Sequence, residues 1–189
     1  MDAADSTVLT PQLAALRGRI GSICNGLRVA VAAYAAWLLY AVLMYWSDTA
    51  LIASTHGRLL HLDLDGLARW QQAAGLAVDL TLWLVAAAAC FSAWRLFTCY
   101  LQGRIFTVDA ASWMRCTAML GLTAQVLGIA ARPLLAAIVT AQLPAEQRAF
   151  HIYFFPNDLL TLLLLASLLA LSHVQSAGAE LAAENAEIV

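Results

Sequence analysis

The chain has 189 residues, 62% of them hydrophobic and 12% charged, with a formal net charge of −2 and a mean hydropathy of +0.76. Soluble domains average about 45–50% apolar and about 25% charged residues, so a soluble globular fold is excluded: its core cannot enclose this much apolar side chain, and the excess has to face lipid. All ten basic residues are arginines, set against twelve acids, which removes the basic footprint of a protein that binds nucleic acid directly.

Taken in chain order, the first element begins at Thr10-Pro11, a helix start with Thr as N-cap and Pro at the first helical position. Leu13, Leu16, Ile20, Ile23 and Leu27 then recur at helical spacing, which predicts an amphipathic helix over residues 10–28, lying on the inner leaflet or running straight into the first span. Residues 29–47 are uncharged and long enough to cross a hydrocarbon core of about 30 Å at about 1.5 Å per residue. The segment 48–75 carries Leu59, Leu60, Leu62, Leu64 and Leu67 among His56, His61, Asp63 and Asp65, a pattern that suits a short helix on the outer surface. Further spans are predicted over residues 76–94, 116–140 and 159–177. Between the second and third, Gly103 is placed to cap one helix, and Thr107 to cap the next with Asp109 in its first turn. Residues 178–189 form an acidic tail.

Orientation follows from the arginines. Arg17, Arg19 and Arg28 precede span one and Arg95, Arg104 and Arg115 join spans two and three, against Arg58, Arg69 and Arg148 in the other loops; this bias puts both termini in the cytoplasm. Tyr45, Trp46, Tyr153, Phe154 and Phe155 on the outer side, with Trp94, Tyr100 and Trp113 on the inner, fall where aromatic belts are expected. Small-residue pairs at Ala32/Ala36 and Ala124/Gly128 permit close helix approach. The openings of spans two and four, Asp79-Leu-Thr-Leu-Trp-Leu and Asp158-Leu-Leu-Thr-Leu-Leu, echo each other as two related hairpins would.

Tests for chemistry return little. The four cysteines, Cys24, Cys90, Cys99 and Cys116, form no C-x-x-C, so zinc-ribbon and thiol-oxidoreductase readings lack their basic element. A membrane haem needs two histidines at matching depth, and only His173 lies in a span. His61, Asp63 and Asp65 stand two apart, and such side chains diverge on a helix. No H-E-x-x-H, G-x-S-x-G, Walker or G-x-G-x-x-G motif is present, and the sequence is read as that of a protein with no catalytic residues, metal or cofactor.

The physical anomaly is Arg132, inside span three and before Pro133. An arginine at the centre of a span costs about 2.5–3.5 kcal/mol on insertion scales, so a partner is expected. Asp79 and Asp158 fall at the same depth, giving a candidate intramembrane charge cluster of Asp79, Arg132 and Asp158. An Arg132–Asp79 pair, with Asp158 as second acceptor, is expected to face the bundle interior, and Pro133 is expected to kink the helix at the charge. The cluster reads either as a polar clamp that sets helix register or as part of a path or sensing hinge.

The run Leu96-Phe97-Thr98-Cys99-Tyr100-Leu101-Gln102-Gly103-Arg104-Ile105-Phe106-Thr107, followed by Met114-Arg115 and a new span, resembles the central loop of bacterial four-helix membrane proteins of domain-of-unknown-function family 2975. The closing segment Gly178 to Val189, acidic and ending in a β-branched pair, is similar to that family's last segment. The outer loop with His56 and His61 departs from the family pattern. The resemblance, over about residues 12–189, implies an all-α fold with four transmembrane helices and a small helix-turn-helix regulator as a neighbour of some members. Glu180, Glu184 and Glu187 are then a candidate docking tail for such a cytoplasmic partner. The expected protein is an all-α, four-helix bundle in the bacterial inner membrane, non-enzymatic and accessory or regulatory. Its partners are the lipid bilayer and a small regulator or further copies of itself. A small transporter or channel component built on the three charges, and an immunity or membrane-stress protein built on the outer loop, are the alternatives.

Overall fold

The computed structural model describes residues 6–60, 67–105, 107–144, 148 and 154–188, with side chains from 21 to 58 and, within the later segments, to 180. These residues form five helices and no strand: α1 (Ser6–Ser47), α2 (Thr49–Leu60), α3 (Arg69–Leu101), α4 (Val108–Val139) and α5 (Pro156–Ile188). Portions of α1, α3, α4 and α5 are long and apolar enough to cross a membrane: Gly21–Ser47, Arg69–Leu101, Val108–Val139 and Pro156–Glu180.

The amphipathic segment and the first span are one helix, which is the straight-through form of the two that the sequence allowed. It runs from Ser6 through Thr10-Pro11, so Thr10 is not its N-cap; helical structure already holds in the turn before it. At 42 residues α1 is about 63 Å long at ~1.5 Å per residue, twice the thickness of a hydrocarbon core. Asp48 ends this run and caps the next. Its Oδ1 accepts from the amides of Ala50 (2.9 Å) and Leu51 (3.1 Å), satisfying donors that a helix start leaves open. The result is the short helix α2. His61, Asp63 and Asp65 lie outside the described residues.

The turn between α3 and α4 is built as its sequence predicts. Gly103 has φ of 76°, a conformation that side-chain-bearing residues avoid. Its amide donates to Tyr100 O (3.0 Å) while that of Arg104 donates to Cys99 O (3.0 Å), the paired bonds of a Schellman ending. Thr107 Oγ1 then accepts from the Ala110 amide at 3.3 Å, and Asp109 sits in the first turn of α4, where the helix dipole favours an acid.

α1 packs along α3, α3 along α4 and α4 along α5, with α2 touching α1; no packed interface closes α1 against α5. The four long helices are therefore a folded-back series. Consecutive ones run antiparallel, so the start of α1, the α3–α4 turn and the end of α5 share one end of the molecule, called here the turn end. α2 and the α4–α5 connection share the other, the α2 end. α4, flanked on two sides, carries more buried residues than any other of the four. Elsewhere large apolar side chains point outward: Trp37 and Leu84 are each 60% exposed and Leu164 is 63% exposed, a surface that water does not tolerate over so wide an area and lipid does.

Candidate functional site

The three span charges do not meet as one cluster. Arg132 pairs with Asp158, Nη1 to Oδ2 at 2.5 Å and Nη2 to Oδ1 at 2.7 Å, while Asp79 accepts from the indole Nε1 of Trp46 at 2.6 Å. The expected Arg132–Asp79 pair is thus corrected to Arg132–Asp158. The reason is rotational. Gln125 and Arg132 are seven residues apart and share one face of α4, and that face looks at α5, where the Gln125 amide also donates to Asp158 Oδ1 at 3.0 Å. Asp158 is fixed beforehand by its own helix: three residues after Phe155, it accepts from the Phe155 amide at 2.8 Å, the back-bond of a capping box at the start of α5. The Arg132 guanidinium also lies over the Phe155 ring, 4.9 Å from its centroid.

The kink expected at Pro133 does not interrupt the helix. α4 is continuous through Arg132 and Pro133, since one missing amide leaves the neighbouring bonds of the turn in place. Asp79 and Asp158 also occupy different places in their helices: Asp158 is in the first turn of α5, whereas Asp79 is about three turns into α3. The echo between the two openings therefore marks no equivalent positions.

Trp46 is 4% exposed and belongs to no belt. Its ring lies on Gly75, where a Cβ would overlap it, and one turn further along α3 stands the carboxylate it donates to. Gly75 and Asp79 thus form a notch and an acceptor on one face. Beside it, the Tyr45 hydroxyl bonds His56 Nδ1 at 2.6 Å, tying α2 to α1. Burial pushes the His56 imidazole below its ordinary range, against the opposing pull of the Ile52 carbonyl and the Asp79 charge.

Several joints were silent in the sequence. Gln71, 1% exposed, donates from Nε2 to the Ile138 carbonyl (2.8 Å) and the Val139 carbonyl (3.0 Å), closing the end of α4 with a side chain of α3. Ser92 and Thr117 share a hydroxyl bond of 3.0 Å between α3 and α4. At the turn end, Gln175 of α5 donates to the Ile105 carbonyl at 2.7 Å. The close approach of α4 to α5 is at Gly121, whose Cβ would stand 2.7 Å from Leu165 Cδ2, and not at Gly128, which faces open space. Only the side-chain chemistry of Gln71, Gln125 and Gln175, polar amides in an apolar setting, could have drawn attention beforehand.

Between the four long helices lies a cavity of about 510 Å³, open on one side, whose lining includes Tyr34, Asp79, Trp83, Cys90, Gln125 and Thr161. Arg132 and Asp158 are not in its lining. Among the described residues, no three of His, Cys, Asp or Glu converge as metal ligands would. Glu180 is exposed on α5, and the helix continues through Glu184 and Glu187 to Ile188; the side chains of the last two lie outside the description.

Together these features define a class: an all-helical chain with four helices of membrane-crossing length, bolted by polar pairs at the α2 end and locked around a tight turn at the other. No protein-family model matches the sequence, and neither a curated protein nor a solved structure matches it.

Proposed function

We propose that the chain is a non-enzymatic, multi-pass protein of the bacterial inner membrane, with both termini cytoplasmic, that holds or regulates a cytoplasmic partner. The observation that carries this reading is α5, one unbroken helix from Pro156 to Ile188. At one end it is bolted to α4 by Arg132–Asp158; further along it is tied to the α3–α4 turn by Gln175; and it ends as a projecting acidic segment. At 33 residues it is about 50 Å long at ~1.5 Å per residue, more than the hydrocarbon core needs, so its last turns stand clear of lipid. The projecting start of α1 and the α3–α4 turn lie at the same end, and the arginine bias assigns that end to the cytoplasm. The likeness of residues 96–107 and 178–189 to family 2975 supports a small helix-turn-helix regulator as the partner, drawn to the Glu180, Glu184 and Glu187 face.

The bonding of the span charges favours the clamp over an ion path. Asp158 accepts from Arg132, Gln125 and the Phe155 amide, an arrangement that spends the carboxylate on structure.

The test is gentle extraction of tagged full-length protein from its native membrane, beside a form lacking residues 178–189, with mass spectrometry of what co-purifies. A small DNA-binding protein recovered with the first and lost with the second, and rebinding in purified form more weakly as salt is raised, is the expected result. Recovery of a discrete homo-oligomer indifferent to the tail overturns the partner reading.

A further inference from the structure

The cavity between the helices has a chemistry that neither the clamp nor the tail uses. Its volume of about 510 Å³ falls within the range of about 300–1,000 Å³ typical of small-molecule sites. All four long helices contribute to it: Tyr34 and Leu38 from α1, Asp79 and Trp83 from α3, Gln125 from α4, Thr161 from α5. Half of the lining is aliphatic or alanine, and the cavity is open to its surroundings.

Three of the cavity's hydrogen-bond donors are already engaged within the protein. The Gln125 amide nitrogen is committed to Asp158, the Thr161 hydroxyl to the Asn157 carbonyl at 2.9 Å, and the Trp83 indole to the Ala35 carbonyl at 2.9 Å. What these side chains keep for a visitor is the Gln125 carbonyl oxygen, the Thr161 lone pairs and the Trp83 ring face. Asp79 accepts through Oδ2 from Trp46, and among the described residues no donor reaches its Oδ1. The described lining contains no arginine or histidine. His56, whose Nδ1 is held by Tyr45, is also absent from the lining. As its described residues line it, the cavity thus offers one carboxylate, the hydroxyl of Tyr34 and an otherwise largely apolar wall, with no cation of its own. A carboxylate in such a place calls for a positive partner, and the aromatic rings of Trp83 and Tyr34 in the lining are of a kind that favours the same charge.

We propose that this cavity is a binding site for a small lipophilic organic cation, a protonated amine with an aromatic or aliphatic body, whose ammonium group pairs with Asp79 while its body lies among the four helices. The site is independent of the regulatory reading, and neither depends on the tail or partner of the other.

The probe is phenylbutylammonium, with phenylbutanol as the neutral and phenylbutyrate as the anionic comparison, titrated calorimetrically into purified full-length protein in lipid nanodiscs, with empty nanodiscs subtracted. The expected result is one ammonium bound per chain, at least about tenfold more tightly than the alcohol, with no binding of the carboxylate. Asp79→Asn brings the ammonium down to the affinity of the alcohol, and Asp79→Glu restores the preference. Ala86→Phe, which fills the cavity and leaves Asp79 in place, abolishes binding of both. Equal binding of ammonium and alcohol by the wild-type protein overturns the proposal, whatever the variants do. So does an ammonium preference that survives Ala86→Phe, or that survives Asp79→Asn in protein that still melts cooperatively. None of these outcomes bears on co-purification through the tail, so the two readings fail separately.

Discussion

At the residue scale, the Arg132–Asp158 pair works because each partner is held before they meet. Asp158 caps its own helix through the Phe155 amide, and Gln125 fills the acceptor position left over. Depth along the spans is legible in a sequence, because rise per residue is constant; the azimuth of a side chain is not, because it depends on which neighbour packs where. That is why Asp79 and Asp158 are equivalent partners on paper and only one takes the guanidinium. A double-mutant cycle checks the assignment: Arg132→Leu and Asp158→Asn are expected to couple, the double variant losing less thermal stability than the sum of the singles, whereas Arg132→Leu and Asp79→Asn should add. His56 gives a pH dependence of definite sign. Burial disfavours its charged form, so the unfolded chain takes up a proton near its ordinary value of about 6.5 while the folded chain resists. Stability is therefore complete above that value and is lost as pH falls through the lower, folded one. Melting of the detergent-solubilised protein between about pH 8 and about pH 5 should show wild type losing more than His56→Gln; parallel curves would remove His56 from the account.

At the element scale, what sets the spacing of the helices is small residues opposite large ones. Among the described glycines assessed, Gly75 under the Trp46 ring and Gly121 against the tip of Leu165 are the two where an added methyl group would force a neighbour to shift. Gly75→Ala is expected to cost about 1–3 kcal/mol through overpacking and to loosen the Trp46–Asp79 bond with it. Gly128→Ala, facing open space, is expected to be neutral or to stabilise by about 0.5–1 kcal/mol through helix propensity. Reversible unfolding in mixed micelles measures both. The Ala124/Gly128 pair looked like the contact in the sequence because it has the small-residue spacing, but such spacing is common in an alanine-rich chain and says nothing of which face meets a neighbour. The α3–α4 turn was readable in full, since Gly103 and Thr107 act on their own backbone within a few residues and need no distant partner.

At the scale of the whole molecule, the serial packing places the start of α1, the α3–α4 turn and the end of α5 at one end, and α2 at the other. In oriented membrane vesicles, single cysteines at Gln102, exposed in the α3–α4 turn, and Glu180, introduced into a background lacking the native four, should react with an impermeant thiol reagent from one side. One at Arg58 should react from the opposite side, and labelling of all three from the same side would break the topology. The series of helices also leaves α1 and α5 without a mutual interface, so that a cavity persists where a closed four-helix bundle would be filled. Apolar composition, the number of long helices and the caps of their connecting turn were determined by the sequence alone, because each follows from local hydropathy, helix geometry or backbone bonds a few residues apart; the helices themselves run well past the apolar spans, α3 from Arg69 to Leu101 where hydropathy marks 76–94. The choice of Asp158 over Asp79, the burial of Trp46 on Gly75, the closing of α4 by Gln71 and the cavity with Asp79 in its wall were decided only in the tertiary structure. Each depends on the rotation of one helix against another, which is set by the sum of many small packing contacts and by no single motif.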